Sequence, residues 1–116
     1  MKRGEVWMAD LAPRSGSEQQ GRRPVVVISS DGFNLTPTWA SLIVVPVSSS
    51  NQQSRRSRTA IPLPAGTGGL KLDSSALCHQ ITTLDRRKFT ERLGELPVPL
   101  ITQIEEGIRA ALDFPL

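Results

Sequence analysis

The chain has 116 residues and a net charge of +3, with 38% hydrophobic and 4% aromatic residues. That suits a single compact domain over residues 1–116, and one cysteine, Cys78, excludes an intramolecular disulfide framework and fits a reducing cytoplasm. No apolar stretch is long enough to span a bilayer, and the opening "MKRGEVWMADL" lacks the apolar core of a secretory signal, so no membrane association is expected.

In chain order, "EVWMADL" alternates and stops before Pro13, which predicts a strand. "APRSGSEQQGRR" is a loop rich in turn formers. "PVVVISS" is a short β-branched run, read as a strand buried on both faces, with Pro24 at its first position where a missing N–H costs little. "DGFNLTPT" carries turn chemistry. "WASLIVVPVS" is a third strand whose Pro46 suggests an edge or a bulge. "SSNQQSRRSR" is a polar, basic loop, "TAIPLP" a short strand and "AGTGG" a flexible turn. "SSALCHQI" alternates as a strand, which makes Cys78 a small core residue. "TTLDRRKFTERL", with Thr83 or Asp85 as cap, predicts one or two helical turns, and "GEL" a further short strand. After "PVP", Ile101, Ile104, Ile108 and Leu112 fall at helical spacing opposite Glu105, Glu106 and Arg109, and Pro115 ends the helix. Short strands and one terminal helix describe a mostly β fold, a small antiparallel barrel with helical additions.

Eleven of the 14 basic residues are arginine, clustered as Arg22–Arg23, Arg55–Arg56 with Arg58, and Arg86–Arg87. The planar guanidinium grips phosphate at two points, so a polyanionic partner fits these clusters, although each pair taken alone also suits a solvated surface. A single histidine excludes a two-histidine acid/base pair within one chain. No metal-ligand spacing, phosphate-binding glycine loop, dinucleotide fingerprint or nucleophile elbow is present, so any enzymatic activity uses neither a metal nor a nucleotide cofactor.

What remains is arginine, carboxylate and hydroxyl chemistry at strand ends. Pro24 restricts Arg23 to extended backbone. If the second and third strands pair as a hairpin, Ser48 lies close to Arg23, with Glu18 in the loop above. Such a trio suits phosphodiester chemistry: the cation neutralises charge on a pentacoordinate phosphorus, the hydroxyl donates to a phosphate oxygen, and the 2′-OH of RNA supplies the nucleophile. Each member also has a plainer role, Arg23 as an ion-pair partner of Glu18, Ser48 as a strand-end turn residue and Glu18 as a loop brace.

The segment "RGEVWMADLAPRSGSEQQGRRPVVVIS" resembles the opening signature of the MazF/PemK (Kid) family of toxin endoribonucleases, through Arg3 to Trp7, Asp10, Leu11, Pro13, Gly16 to Gln19, Gly21, Arg23 and Pro24. The likeness continues through "LIVVPVSSS" and "CHQITTLDRRKFTERLGEL" to the terminal helix. It implies an SH3-like barrel, a homodimer, and metal-independent, sequence-specific cleavage of single-stranded RNA, with mRNA the expected target. Attack by the 2′-OH would leave a 2′,3′-cyclic phosphate and a 5′-OH. It also implies a small acidic antitoxin of the MazE kind. The family's catalytic arginine falls on Arg23, its threonine on Ser48 and its glutamate on Glu18. Ser17, Gln19, Arg22, Asn34, Ser49, Arg55, Arg56, Arg58, Gln80, Thr83, Arg86 and Arg87 are the expected RNA contacts, with Gln80 and Thr83 lining the dimer groove. The competing readings are a gyrase-directed toxin on the same barrel and a non-catalytic RNA-binding module.

Overall fold

The structure, a computed structural model, describes the chain except for Arg14, Ser17, Gln20, residues 50–57 and Leu116. The strands are β1 (Glu5–Asp10), β2 (Arg22–Val27), β3 (Ser41–Ser48), β4 (Ala60–Leu63), β5 (Ser74–Leu77), β6 (Thr82–Asp85) and β7 (Phe89–Glu95). A one-turn helix, α1 (Asp31–Asn34), follows β2, and the long helix α2 spans Val98–Leu112. Short 3₁₀ turns sit at Thr67–Gly69, Cys78–Gln80 and Arg86–Lys88.

The strands form one seven-stranded sheet in the order β4-β5-β3-β2-β1-β7, with β6 also on β3, and every pairing is antiparallel. The expected mostly β fold with a terminal helix is therefore what the chain adopts. Alternation sorts the valines of β2 and β3 onto two faces. Val26 and Val45 join Val6, Ile61, Leu63, Cys78 and Ile104 in the larger cluster beneath α2. Val25 and Val44 join Ala9, Leu11 and Leu84 in a smaller cluster, against which Trp7 and Phe89 pack edge to face, 6.2 Å between ring centres. This explains why "PVVVI" is apolar without a break: both faces of β2 are covered.

Three expectations change. The strand read in "SSALCHQI" stops at Leu77, and Cys78–Gln80 is a 3₁₀ turn. Pro46 lies neither on an edge strand nor at a bulge, because β3 is flanked on both sides. On one side Val25 pairs with Pro46; on the other, β6 pairs up to Val44 and β5 from Val47 onward. Pro46 thus falls where β3 changes partner. The segment 82–93 is not helical. Asp85 caps only the single turn Arg86–Lys88, accepting from the Arg87 backbone N–H at 2.8 Å, and strands β6 and β7 occupy the rest.

Helix α2 carries Pro99 in its first turn and ends with Asp113 in the left-handed region, φ 56°. It docks through Ile104, which is fully buried, and through Gly107. A methyl group at Gly107 would stand 2.7 Å from Cys78 Sγ and 3.2 Å from the Ile61 side chain. Cys78 is fully buried, and burial pushes its thiol up to about 12, so it is a packing residue and not a nucleophile.

Glu5 anchors the other end of the sheet. Burial alone would raise its carboxyl, but hydrogen bonds from the Lys2 backbone N–H at 2.9 Å, the Trp7 indole at 3.0 Å and the Arg92 guanidinium at 2.9 Å outweigh it and hold it at about 2, against an ordinary 4.5. The ionised form is therefore favoured by folding. Its contribution is complete above pH 4.5 and is lost as the pH falls through about 2.

Two outcomes follow from these contacts. Gly107→Ala lowers the melting temperature despite alanine's helix advantage of ~1 kcal/mol, and does so much less in a Cys78→Ala background, where Sγ is gone; thermal melts of the four chains check this. Glu5→Gln destabilises the protein by about 2 kcal/mol at pH 7, and its deficit against wild type shrinks as the pH is taken from 5 towards 2 in denaturant titrations.

Candidate functional site

The register β1–β2–β3 fixes the candidate catalytic residues. Ala9 pairs with Arg23, and Val25 pairs with Pro46. The latter is the last pair of the β2–β3 ladder; two residues beyond it, Arg23 and Ser48 share an end of the sheet and the face that carries Val25 and Pro46. Arg23 is exposed, whereas Ser48 is 4% exposed and its backbone pairs on the far side with Ser75. The hairpin that the sequence suggested is thus present, and it brings a cation and a hydroxyl to the same end of the sheet.

The loop between β1 and β2 folds over this end. Leu11 N–H donates to the Gly21 carbonyl at 2.8 Å, and Lys88 Nζ donates to the Ala12 carbonyl at 2.5 Å. The Gln19 backbone N–H donates to Gln80 Oε1 at 2.9 Å, which pins the loop to the turn after β5. Glu18, exposed, borders a cavity of about 320 Å³ together with Gln19, Pro46, His79, Gln80 and Thr82. The loop, the third strand and the Cys78–Gln80 turn therefore converge on one cavity beside Ser48.

A second cavity, about 350 Å³, opens on the other side of Arg23. Arg22, Arg23 and Lys71 rim it, Ser49 and Ser74 offer hydroxyls, and Leu70, Leu72 and Leu93 form its apolar wall. That wall depends on glycine: Gly69, at φ +78°, lies so close to β7 that a Cβ would sit 2.0 Å from the Leu93 carbonyl oxygen. Arg22 reaches Glu91 at 3.5 Å in an exposed pair, which contributes little.

Other expected RNA contacts lie elsewhere. Asn34 is 1% exposed, with its side chain committed to Ser29 Oγ at 2.5 Å, the Ser29 carbonyl at 2.8 Å and Asp31 at 3.0 Å. It is an internal brace of α1, its amide spent within the protein. Arg86 is likewise consumed: its guanidinium donates to the carbonyls of Phe33 (2.8 Å), Asn34 (2.9 Å), Thr36 (2.9 Å) and Trp39. It clamps the loop after β2, at the opposite end of that strand from Arg23, and holds the stacked Phe33–Trp39 pair 4.5 Å apart. Arg87 is exposed and forks onto Asp85 at 3.0 Å, and Thr83 is an exposed residue opposite Ile43. Arg58 lines a separate groove with Gln103 and Arg109 of α2. Ser17, Arg55 and Arg56 lie outside the described residues. Sequence reasoning did not single out His79, Lys71 or Leu72 as site residues; they line the two cavities through the packing of the turns around residues 67–72 and 78–80. Among the described residues, no three His, Cys, Asp or Glu side chains are grouped to hold a metal ion, and no helix is long and apolar enough to cross a membrane.

Comparison with known proteins places the chain in a family. Residues 2–112 match the family described as PemK-like, MazF-like toxin of type II toxin–antitoxin system. The chain is 36% identical over 114 residues to Endoribonuclease MazF2 of Mycobacterium bovis, covering 98% of both proteins. It is 34% identical over 113 residues to Endoribonuclease EndoA of Bacillus subtilis, covering 97% of this chain and 94% of the relative. The crystal structure of MazF from Deinococcus radiodurans superposes with a TM-score of 0.80 at 25% identity, over 98% of this chain and 97% of that one. The chain belongs to the PemK/MazF family of type II toxin–antitoxin toxins.

The arginine assignments separate by experiment. Arg86→Ala costs roughly 1–3 kcal/mol of stability, because several carbonyls lose a charged donor, and Arg86→Lys restores little since one ammonium cannot span them. Arg87→Ala leaves stability unchanged. Chemical denaturation followed by Trp39 emission distinguishes the two positions.

Proposed function

We propose that this toxin domain, residues 1–116, is an endoribonuclease that cuts single-stranded RNA without a metal ion. The observation that carries the reading is the β2–β3 ladder, which ends at Val25–Pro46 and leaves Ser48 and the exposed Arg23 two residues beyond it at one end of the sheet, under a loop bearing Glu18. Its relatives of 34–36% identity are named endoribonucleases, which supports the same activity here.

In this reading the scissile phosphate lies against the Arg23 guanidinium, which offers two donors to the equatorial oxygens as negative charge builds on phosphorus. The Ser48 hydroxyl donates to the same phosphate, standing where the family usually has threonine. The 2′-OH of the preceding ribose attacks, and the products carry a 2′,3′-cyclic phosphate and a 5′-OH. The cavity rimmed by Arg22, Arg23 and Lys71 gives the strand a cationic path away from the cut. Cutting messenger RNA in this way halts translation, hence growth.

The chain acts as a homodimer. The groove lined by Ile43, Ile81, Ile108 and Phe114 leaves apolar side chains on the surface, with Phe114 59% and Ile43 38% exposed, and a second copy would cover them. A small acidic antitoxin restrains it: carboxylates on a disordered segment compete with phosphate for the same guanidinium groups. One structural neighbour, from a mycobacterial species, is an endoribonuclease in complex with its cognate antitoxin.

The test is incubation with a long mixed-sequence RNA in excess EDTA, followed by mapping of the new 5′ ends. Cleavage persists under chelation, and Arg23→Ala slows it on the order of 100-fold or more while melting normally. Ser48→Thr is tolerated and Ser48→Ala is impaired. Activity that needs added magnesium, or full activity in Arg23→Ala, contradicts the reading.

A further inference from the structure

The chain's single histidine lines the cavity that reaches Pro46, two residues before Ser48 on β3. His79 is exposed on the turn Cys78–Gln80, and it shares the cavity with Glu18, Gln80 and Pro46. Pro46 precedes Ser48 by two residues on the same face of β3, about 7 Å along the strand. Glu18 is the one carboxylate among the lining residues. The loop that carries it is fixed to the histidine's own turn by the hydrogen bond from Gln19 N–H to Gln80 Oε1, 2.9 Å, so the two groups border one cavity. Of the other charged groups near this turn, Arg58, Glu106 and Arg109 line a separate groove, and Glu105 is paired with Arg3 at 2.7 Å.

Cleavage through the 2′-OH needs two proton transfers that Arg23 and Ser48 do not provide. The attacking hydroxyl must lose a proton, and the departing 5′-oxygen must gain one, since an alkoxide is a poor leaving group. An ionised carboxylate only accepts, whereas an imidazole changes protonation state near neutral pH and can donate. We infer that His79 is the general acid and Glu18 the general base of this site. This rests on the RNA-cleavage reading above and adds its acid/base pair. In the step, the 2′-oxygen forms its bond to phosphorus as its proton passes to Glu18. The bond from phosphorus to the 5′-oxygen breaks, the electron pair stays on that oxygen, and the His79 proton joins it. Solvent exchange then returns Glu18 to the carboxylate and His79 to its protonated form.

The decisive comparison uses a short RNA containing the mapped cut site and a second RNA in which sulfur replaces the 5′-oxygen at that bond. A thiolate leaves without protonation, so it has no need of a general acid. His79→Gln cuts the oxygen substrate on the order of 100-fold more slowly than wild type and cuts the sulfur substrate at close to the wild-type rate. Arg23→Ala stays impaired on both. Because His79 is exposed, the substitution leaves the core intact, and a thermal melt confirms it. A His79→Gln chain that matches wild type on the oxygen substrate, or that lags equally on both, overturns the assignment. Wild-type protein that cuts neither RNA instead overturns the RNA-cleavage reading itself.

Discussion

The site depends on one constraint, the position of β2 between β1 and β3. Backbone pairing on both edges fixes its register through Trp7–Val25 on one side and Val25–Pro46 on the other. A slip of one residue would turn Val25 and Val26 to the wrong clusters, so the apolar pattern on two faces locks the strand in place. Arg23 inherits that rigidity. A guanidinium on a mobile loop would spend binding energy on being ordered; here Pro24 and the ladder have already ordered its backbone. That is why a permanent cation stands where a polar loop becomes a buried strand.

Around this base the remaining groups of the site come from turns. Pro46 sits where β3 exchanges β6 for β5, and the turn Cys78–Gln80 that joins those two strands is thereby brought beside the face that carries Pro46 and Ser48. The same turn is held from behind by α2, through Gly107 against Cys78. Core packing and site geometry are thus linked through two adjacent residues. Cys78 faces the helix and His79 faces the cavity.

Much of this was legible in the sequence, and the failures have physical causes. The strands β1 to β5 and the helix α2 show in alternation, β-branched runs and helical spacing because each buries a face against the core. Arg23 and Ser48 could be placed because hairpin pairing between neighbouring strands follows from local sequence. Segment 82–93 misled because β7 is an edge strand paired only to β1, some 80 residues earlier, and its charged residues hide the alternation. Arg86 and Asn34 misled for another reason. A phosphate-binding guanidinium and one saturated by backbone carbonyls are the same residue in a sequence, and only the fold shows that Arg86 is spent on the loop after β2. His79 was hidden inside a run that alternates like a strand, and a lone residue in a turn acquires meaning only from what folds against it.

The central claim is that a phosphate bound by Arg23 and Ser48 is the one that is cut. A crystal structure of the protein with an RNA carrying a single 2′-deoxy nucleotide at the mapped cleavage position would test it most directly, because that substitution removes the nucleophile and preserves the phosphate. The account predicts the scissile phosphate in hydrogen-bond contact with the Arg23 guanidinium and the Ser48 hydroxyl, with its 5′-oxygen turned towards His79. A scissile phosphate bound away from Arg23, for instance among the exposed residues near Arg87, would contradict it.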